Sequence, residues 1–153
     1  MPVKAIPDGY HSITPYLIVK DGNAAVKFYQ NAFSAEIILV LNTPDGGIAH
    51  AEIKIGDSHI MLAEEYMDMG FVSPETLGGA GVSLMLYLEN VDQSFTKAIN
   101  AGGIELKPVS DQFYGDRAGT LKDPFGHIWT LGTHKEDLSE DEIKQRMMAE
   151  FSE

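Results

Sequence analysis

The apolar and polar positions of this chain run through the same order twice. A β-like run over residues 13–19 leads through Asp21 into a stretch where Ala25, Val26, Phe28, Tyr29, Ala32 and Phe33 recur at the spacing of one helix face, with Asp21 or Asn23 as cap. Strand-like runs follow at 37–41, 48–55 and 60–63, divided by Thr43-Pro44-Asp45-Gly46-Gly47 and by Gly56-Asp57-Ser58. Proline presets the entry angle of the first turn and glycine accepts positive φ, so 48–55 is expected to return antiparallel to 37–41 as a hairpin. The order restarts at Val82. A run over 82–88 passes through Asn90-Val91-Asp92 into a helix over 92–101, with Val91, Phe95, Ala98 and Ile99 on one side and Gly102-Gly103 as its stop. Strands are then expected at 104–106, 119–121 and 128–131.

Two such units predict an α+β fold: tandem βαβββ modules forming a curved eight-stranded mixed sheet around a cleft, with helices on the outer face. The expected organisation is one domain over 1–153, with module one at about 11–64, a linker at 65–81 and module two at about 82–134. An extra C-terminal helix at 139–151 is opened by Ser139, with Glu142 three residues later in the pattern of a capping box. Residues 1–11 carry Pro2, Pro7, Asp8 and Gly9 and read as an irregular lead-in. The connecting segment has Met67, Met69, Phe71 and Pro74 but no period, which fits either a mobile flap over the cleft or a disordered linker.

Strand alternation assigns faces. His50, Glu52 and Lys54 fall on one side of the 48–55 strand, and Ala49, Ala51, Ile53 and Ile55 on the other. The apolar side must meet a helix, so His50 and Glu52 are expected to face the cleft. By the same rule Leu84, Leu86 and Leu88 turn to the helix side, leaving Ser83, Met85 and Tyr87 toward the cleft. In the last strand His127, Trp129 and Leu131 share one face, and Ile128 and Thr130 the other.

Composition narrows the functional classes. At 153 residues and 44% hydrophobic content the chain suffices for one packed core, and it has no apolar run long enough for a bilayer and no start resembling a signal peptide, so a soluble cytoplasmic protein is expected. Absence of cysteine excludes disulfides, thiolate nucleophiles and zinc–thiolate sites. A formal net charge of −12 argues against nucleic acid and anionic membranes as partners and favours a cationic small molecule. Part of that charge lies in the acidic tail from Glu136 to Glu153, which reads as a solvated appendage.

Pro15-Tyr16-Leu17, Ala25 through Tyr29, Ala32-Phe33, Pro44-Asp45-Gly46, His50-Ala51-Glu52, Gly115-Asp116-Arg117 and Asp123 through Trp129 follow one another in a recognisable order. On these residues the chain resembles the vicinal oxygen chelate superfamily of glyoxalases, bleomycin-resistance proteins and extradiol dioxygenases, and more narrowly its PhnB-like branch. The resemblance implies paired modules around a pocket and a homodimer with sites near the interface. It also implies that the metal-binding positions of the superfamily fall at Pro15, His50, Ser83 and Thr130. Only His50 among these is a competent ligand, because proline has no side-chain donor atom and neutral hydroxyls are poor partners for a divalent metal.

Without a metal, the expected pocket holds His50 and Glu52 as an acid–base or simple hydrogen-bonded pair, with Ser83, Met85, Tyr87, Tyr114, Arg117 and Thr130 as ligand-binding residues. Arg117 is expected either to fix a ligand carboxylate or phosphonate through its planar fork or to form a salt bridge with Asp116 or Asp123. His127 and Trp129 read as core residues, the histidine donating to backbone. The expected function is a glyoxalase/bleomycin-resistance-like protein that binds a small molecule with no cofactor. The alternative is a glyoxalase-like lyase or transferase using a divalent metal on His50 and Glu52.

Overall fold

The structure, a computed structural model, describes residues 2–153, and the chain packs as two compact units. The first comprises the chain up to Ala80 together with Pro124–His127; the second comprises Gly81–Asp123 and Ile128–Glu153. The eight expected strands thus form two four-stranded mixed sheets, one in each unit.

In the first unit the elements are β1 (Tyr16–Val19), α1 (Gly22–Phe33), β2 (Glu36–Asn42), β3 (Ile48–Ile55) and β4 (Ser58–Glu64). The sheet order is β1-β4-β3-β2, with β1 parallel to β4 and the other pairs antiparallel. Asp21 caps α1 by accepting the Ala24 N–H at 3.0 Å, and Ser34, at φ 56°, ends it. The apolar face read from the sequence is the buried one: Ala25, Val26, Phe28, Tyr29, Ala32 and Phe33 join Leu17, Val19, Ala51, Ile53, Ile55, Ile60 and Leu62 in the core. Phe125 completes this core, its ring 6.1 Å from that of Phe28 and edge-on to it.

Residues 65–81 carry local structure where the sequence suggested a flap or a disordered linker. Tyr66 and Phe71 form a two-residue antiparallel bridge around a 3-10 turn at Met67–Met69, closed by Gly70 at φ 77°. A short helix α2 (Pro74–Leu77) follows, capped by the buried Ser73. Glu65 Oε1 accepts both the N–H and the hydroxyl of Ser73, at 2.9 and 3.0 Å. Such order rests on caps and turns rather than on a repeating apolar face, so hydrophobic periodicity does not register it.

The second unit holds β5 (Ser83–Tyr87), α3 (Val91–Asn100), β6 (Ile104–Asp111), β7 (Asp116–Lys122), β8 (Ile128–His134) and α4 (Glu140–Phe151), with sheet order β5-β8-β7-β6. Asn90 caps α3 through the Gln93 N–H at 3.1 Å. Thr133 ties that helix to the sheet, accepting the Val91 N–H at 2.9 Å and donating to the Leu88 carbonyl at 2.8 Å. Trp129 is buried, and its indole N–H donates to the buried Asp123 at 2.9 Å. β6 runs well past the expected 104–106: it is an exposed edge strand holding Pro108, Glu105 and Lys107, residues that blunt an edge and hide it from an apolar pattern. In α4, capped by Ser139 at 3.2 Å from the Glu142 N–H, no residue is buried, as a solvated appendage requires. Among the described residues no helix is long and apolar enough to cross a membrane.

Candidate functional site

Residues opposite one another in a ladder share a face. In the first sheet Leu41 pairs with His50, Glu52 with both Leu39 and Met61, Lys54 with His59, and Tyr16 with Met61. Tyr16, His50, Glu52, His59 and Met61 therefore occupy the side of the sheet away from the α1 core. One residue departs from the expected alternation: Ile48, not Ala49, is buried. The register slips between Leu41, opposite His50, and Asn42, opposite Ile48, so Ala49 bulges out of the ladder.

His50 Nδ1 and the Tyr16 hydroxyl share a hydrogen bond of 2.8 Å. Glu52 has a different partner. Its Oε1 lies 3.3 Å from His59 Nδ1, both side chains being about nine-tenths buried (9% and 10% exposed). The two atoms are not aligned for a hydrogen bond, and neither has another partner among the described residues. A buried polar atom without a hydrogen bond costs about 1–3 kcal/mol.

Burial of Glu52 on this face comes from the lead-in. Pro7 to Tyr10 is a turn, closed by the Tyr10 N–H on the Pro7 carbonyl at 3.1 Å with Gly9 at φ 82°, and it lays the Tyr10 ring on His59 at a centroid distance of 3.9 Å. Between this segment and the sheet is a cavity of about 440 Å3 lined by Ile6, Pro7, Tyr10, His11, Glu52 and Met61, among others. That volume suits a small ligand, and the lining combines apolar walls with a few polar groups.

In the second sheet Met85 pairs with Thr130, Ser83 with Ile128, Tyr87 with Gly132 and Asp116 with His134, so Ser83, Met85, Tyr87 and Thr130 share one face as the alternation predicts. Gly132 has no side chain where a Cβ would stand 2.6 Å from Met85 Cε. Thr130 is bonded to Thr120 at 2.9 Å. The buried Asp116 accepts the Tyr87 hydroxyl at 2.7 Å and His134 Nδ1 at 2.8 Å, while His134 Nε2 meets Asp137 at 2.7 Å. With a carboxylate at each nitrogen the imidazolium is favoured, and the hydrogen bonds to Asp116 and then Asp137 raise the His134 pKa. Tyr87 is pushed up by its bond to Asp116, and Tyr114 by burial and then by the charge of Asp116, so both stay protonated at neutral pH.

Arg117 lies on the other face. Its fork takes Asp92 on α3 at 2.8 Å through Nε and at 2.8 Å through Nη2, and Asp111 at 3.2 Å; Asp116 and Asp123, the partners expected from the sequence, take Tyr87 and Trp129 instead. His127 precedes β8 and packs in the first unit, where Nε2 donates to the Ile18 carbonyl at 2.9 Å, a backbone partner as expected.

The family model for the Glyoxalase/Bleomycin resistance protein/Dioxygenase superfamily matches residues 9–131. The chain belongs to this superfamily. An uncharacterized protein of Mycobacterium tuberculosis is 35% identical over 142 residues, covering 91% of this chain and 84% of its own. Among solved structures, a PhnB protein from Bacillus cereus, described as a putative 3-demethylubiquinone-9 3-methyltransferase, is similar with a TM-score of 0.63 at 22% identity, covering 80% of this chain and 99% of its own. The fosfomycin resistance protein FosX from Listeria monocytogenes gives a TM-score of 0.61 at 20% identity, covering 87% and 97% respectively. These structural likenesses establish the fold.

The superfamily's metal positions can be set against the donors present. Pro15 and the hydroxyls of Ser83 and Thr130 do not suit a divalent ion, whereas His50, its Nδ1 bonded to Tyr16, keeps Nε2 as a donor atom. Among the described residues no group of three or more His, Asp or Glu side chains is placed to hold a metal. Of the positions that the resemblance assigns to the metal, His50 offers the one donor that suits a divalent ion.

Four residues of these faces escaped the sequence reading. His59 lay just outside the strand expected at 60–63, although His59, Met61 and Ala63 alternate with Ile60 and Leu62. Tyr10 sat in a stretch read only as irregular. Asp116 was noted as a motif member and His134 fell at the end of the module, and only the β7–β8 register brings them together.

Proposed function

We propose that the protein binds a small organic molecule on the face of its first sheet, beneath the lead-in segment, without a divalent metal. The observation that carries this reading is a cavity with apolar walls whose lining includes the nine-tenths-buried Glu52 carboxylate. A guest with an apolar body against Ile6, Pro7 and Met61 and one N–H donor for Glu52 satisfies both parts of the site. The net charge of −12 favours guests that carry this donor as an amine cation.

The homodimer implied by the family resemblance is part of the proposal, as is a cytoplasmic location. Ile37, Ile38, Leu39 and Leu41 on β2 are 42–50% exposed, an apolar strip that a second copy would cover. The alternative, a metal-dependent lyase or transferase on His50 and Glu52, is supported by their shared face, and it needs further ligands from outside the residues described.

The test is a thermal-shift screen of small amines and their neutral analogues against wild type and Glu52→Gln, with and without chelator. The proposal expects amines to stabilise the wild type, chelator to change nothing and Glu52→Gln to lose the effect. Stabilisation that disappears with chelator would support the alternative.

A further inference from the structure

We propose that a second cavity, walled by Tyr16, Tyr66 and Phe71 and bordered by Glu64 and Glu65, binds a small quaternary ammonium ion. This cavity of about 390 Å3 shares no lining residue with the one at Glu52. Its walls arise from the segment the sequence left unassigned. Tyr66 and Phe71 stand directly opposite each other in an antiparallel bridge, with N–H to carbonyl distances of 2.8 and 3.1 Å, so their rings leave the backbone on the same side. Tyr16, held through its hydroxyl by His50, supplies a third ring, and Met69 a polarizable side chain. The three rings remain 43–54% exposed, leaving apolar surface that a guest would cover.

Charge and hydrogen bonding select the guest. Glu64 is fixed by the Gly22 N–H at 2.8 Å and Glu65 by Ser73, so both carboxylates keep their positions beside the rings. The Thr76 and Ser73 hydrogen bonds also hold the Glu65 pKa below its ordinary value, with Lys20 as the nearby opposing charge. Negative potential from these fixed carboxylates suits a cation, and alkyl groups in place of N–H bonds let that cation cover the exposed rings. Aromatic faces with adjacent carboxylates recognise alkylated ammonium groups in this way.

Choline is the probe, set against 3,3-dimethylbutan-1-ol, which has the same shape and no charge. Calorimetric titration of the full chain is expected to show choline binding and weaker binding of the neutral analogue. Phe71→Leu and Tyr66→Leu, which keep apolar volume but remove a ring, are each expected to weaken choline by about twofold to thirtyfold. Unchanged melting temperatures would show that the variants fold. Equal binding of the neutral analogue, or choline affinity indifferent to both variants in folded protein, would overturn the assignment. So would retention on phosphatidylcholine vesicles without binding of free choline.

Discussion

Glu52 Oε1 and His59 Nδ1 lie 3.3 Å apart in a nearly buried setting, and neither makes a hydrogen bond among the described residues. Proteins rarely leave such atoms unmatched, because burial removes the water that would satisfy them. Here the unmatched pair lies beside a cavity roofed by a turn of the lead-in.

A direct consequence is that replacing Glu52 and His59 together by apolar side chains stabilises the ligand-free protein. The double variant Glu52→Met, His59→Leu removes both unmatched atoms and is expected to raise unfolding free energy by about 1–3 kcal/mol. Chemical denaturation checks this, and a loss of similar size would show that Glu52 is a structural hydrogen-bonding group.

Tyr10→Ala removes the ring stacked on His59 and unroofs the cavity. Its effect on global stability is expected to be about 0.5–1.5 kcal/mol, the scale of an aromatic pair. Guests that stabilise the wild type are expected to lose affinity by a larger factor than this change alone conveys, measured by titration at equal fractions folded.

His134 gives the second unit a pH-dependent stability. Its folded pKa is raised by Asp116 and Asp137, so its contribution is fully present below the unfolded value near 6.5 and is lost as pH rises through the higher folded value. The difference in stability between wild type and His134→Gln is therefore expected to be largest on the acid side and to shrink toward alkaline pH. Denaturation at a series of pH values reads it directly, and a gap that widens with rising pH contradicts the assignment.

Asp123→Ala leaves the buried Trp129 N–H without its 2.9 Å acceptor. The expected loss is about 1–3 kcal/mol in denaturation experiments, with Asp123→Asn milder because the amide oxygen still accepts. Equal effects of the two substitutions would show that the carboxylate charge, not the acceptor, is what the site requires.

The fold was legible because its signals are periodic and local. Ala25 to Phe33 and Val91 to Ile99 state their helix faces, Asp21 and Ser139 their caps, and Pro44 to Gly47 the hairpin. Phase also assigned His50, Glu52, Ser83, Met85, Tyr87 and Thr130 to the faces they occupy. What alternation cannot reveal is a ladder slip such as the one at Ala49, or contacts between residues far apart in sequence. Glu52 reads as a cleft residue until Tyr10 and its neighbours are laid over it, and Arg117 reads equally as a ligand clamp or as a salt-bridge partner of Asp116 or Asp123 until Asp92 takes its fork. The Tyr66–Phe71 bridge is invisible for the opposite reason: it is local but has no period.

The most direct test of metal-independent binding at Glu52 is a calorimetric titration of an amine that stabilises the protein, run on wild type, Glu52→Gln and His50→Ala in excess chelator, with elemental analysis of the same samples. Unchanged affinity in chelator, loss with Glu52→Gln and no stoichiometric metal are the predicted results. Stoichiometric metal that disappears with His50→Ala, together with binding abolished by chelator, would contradict the account.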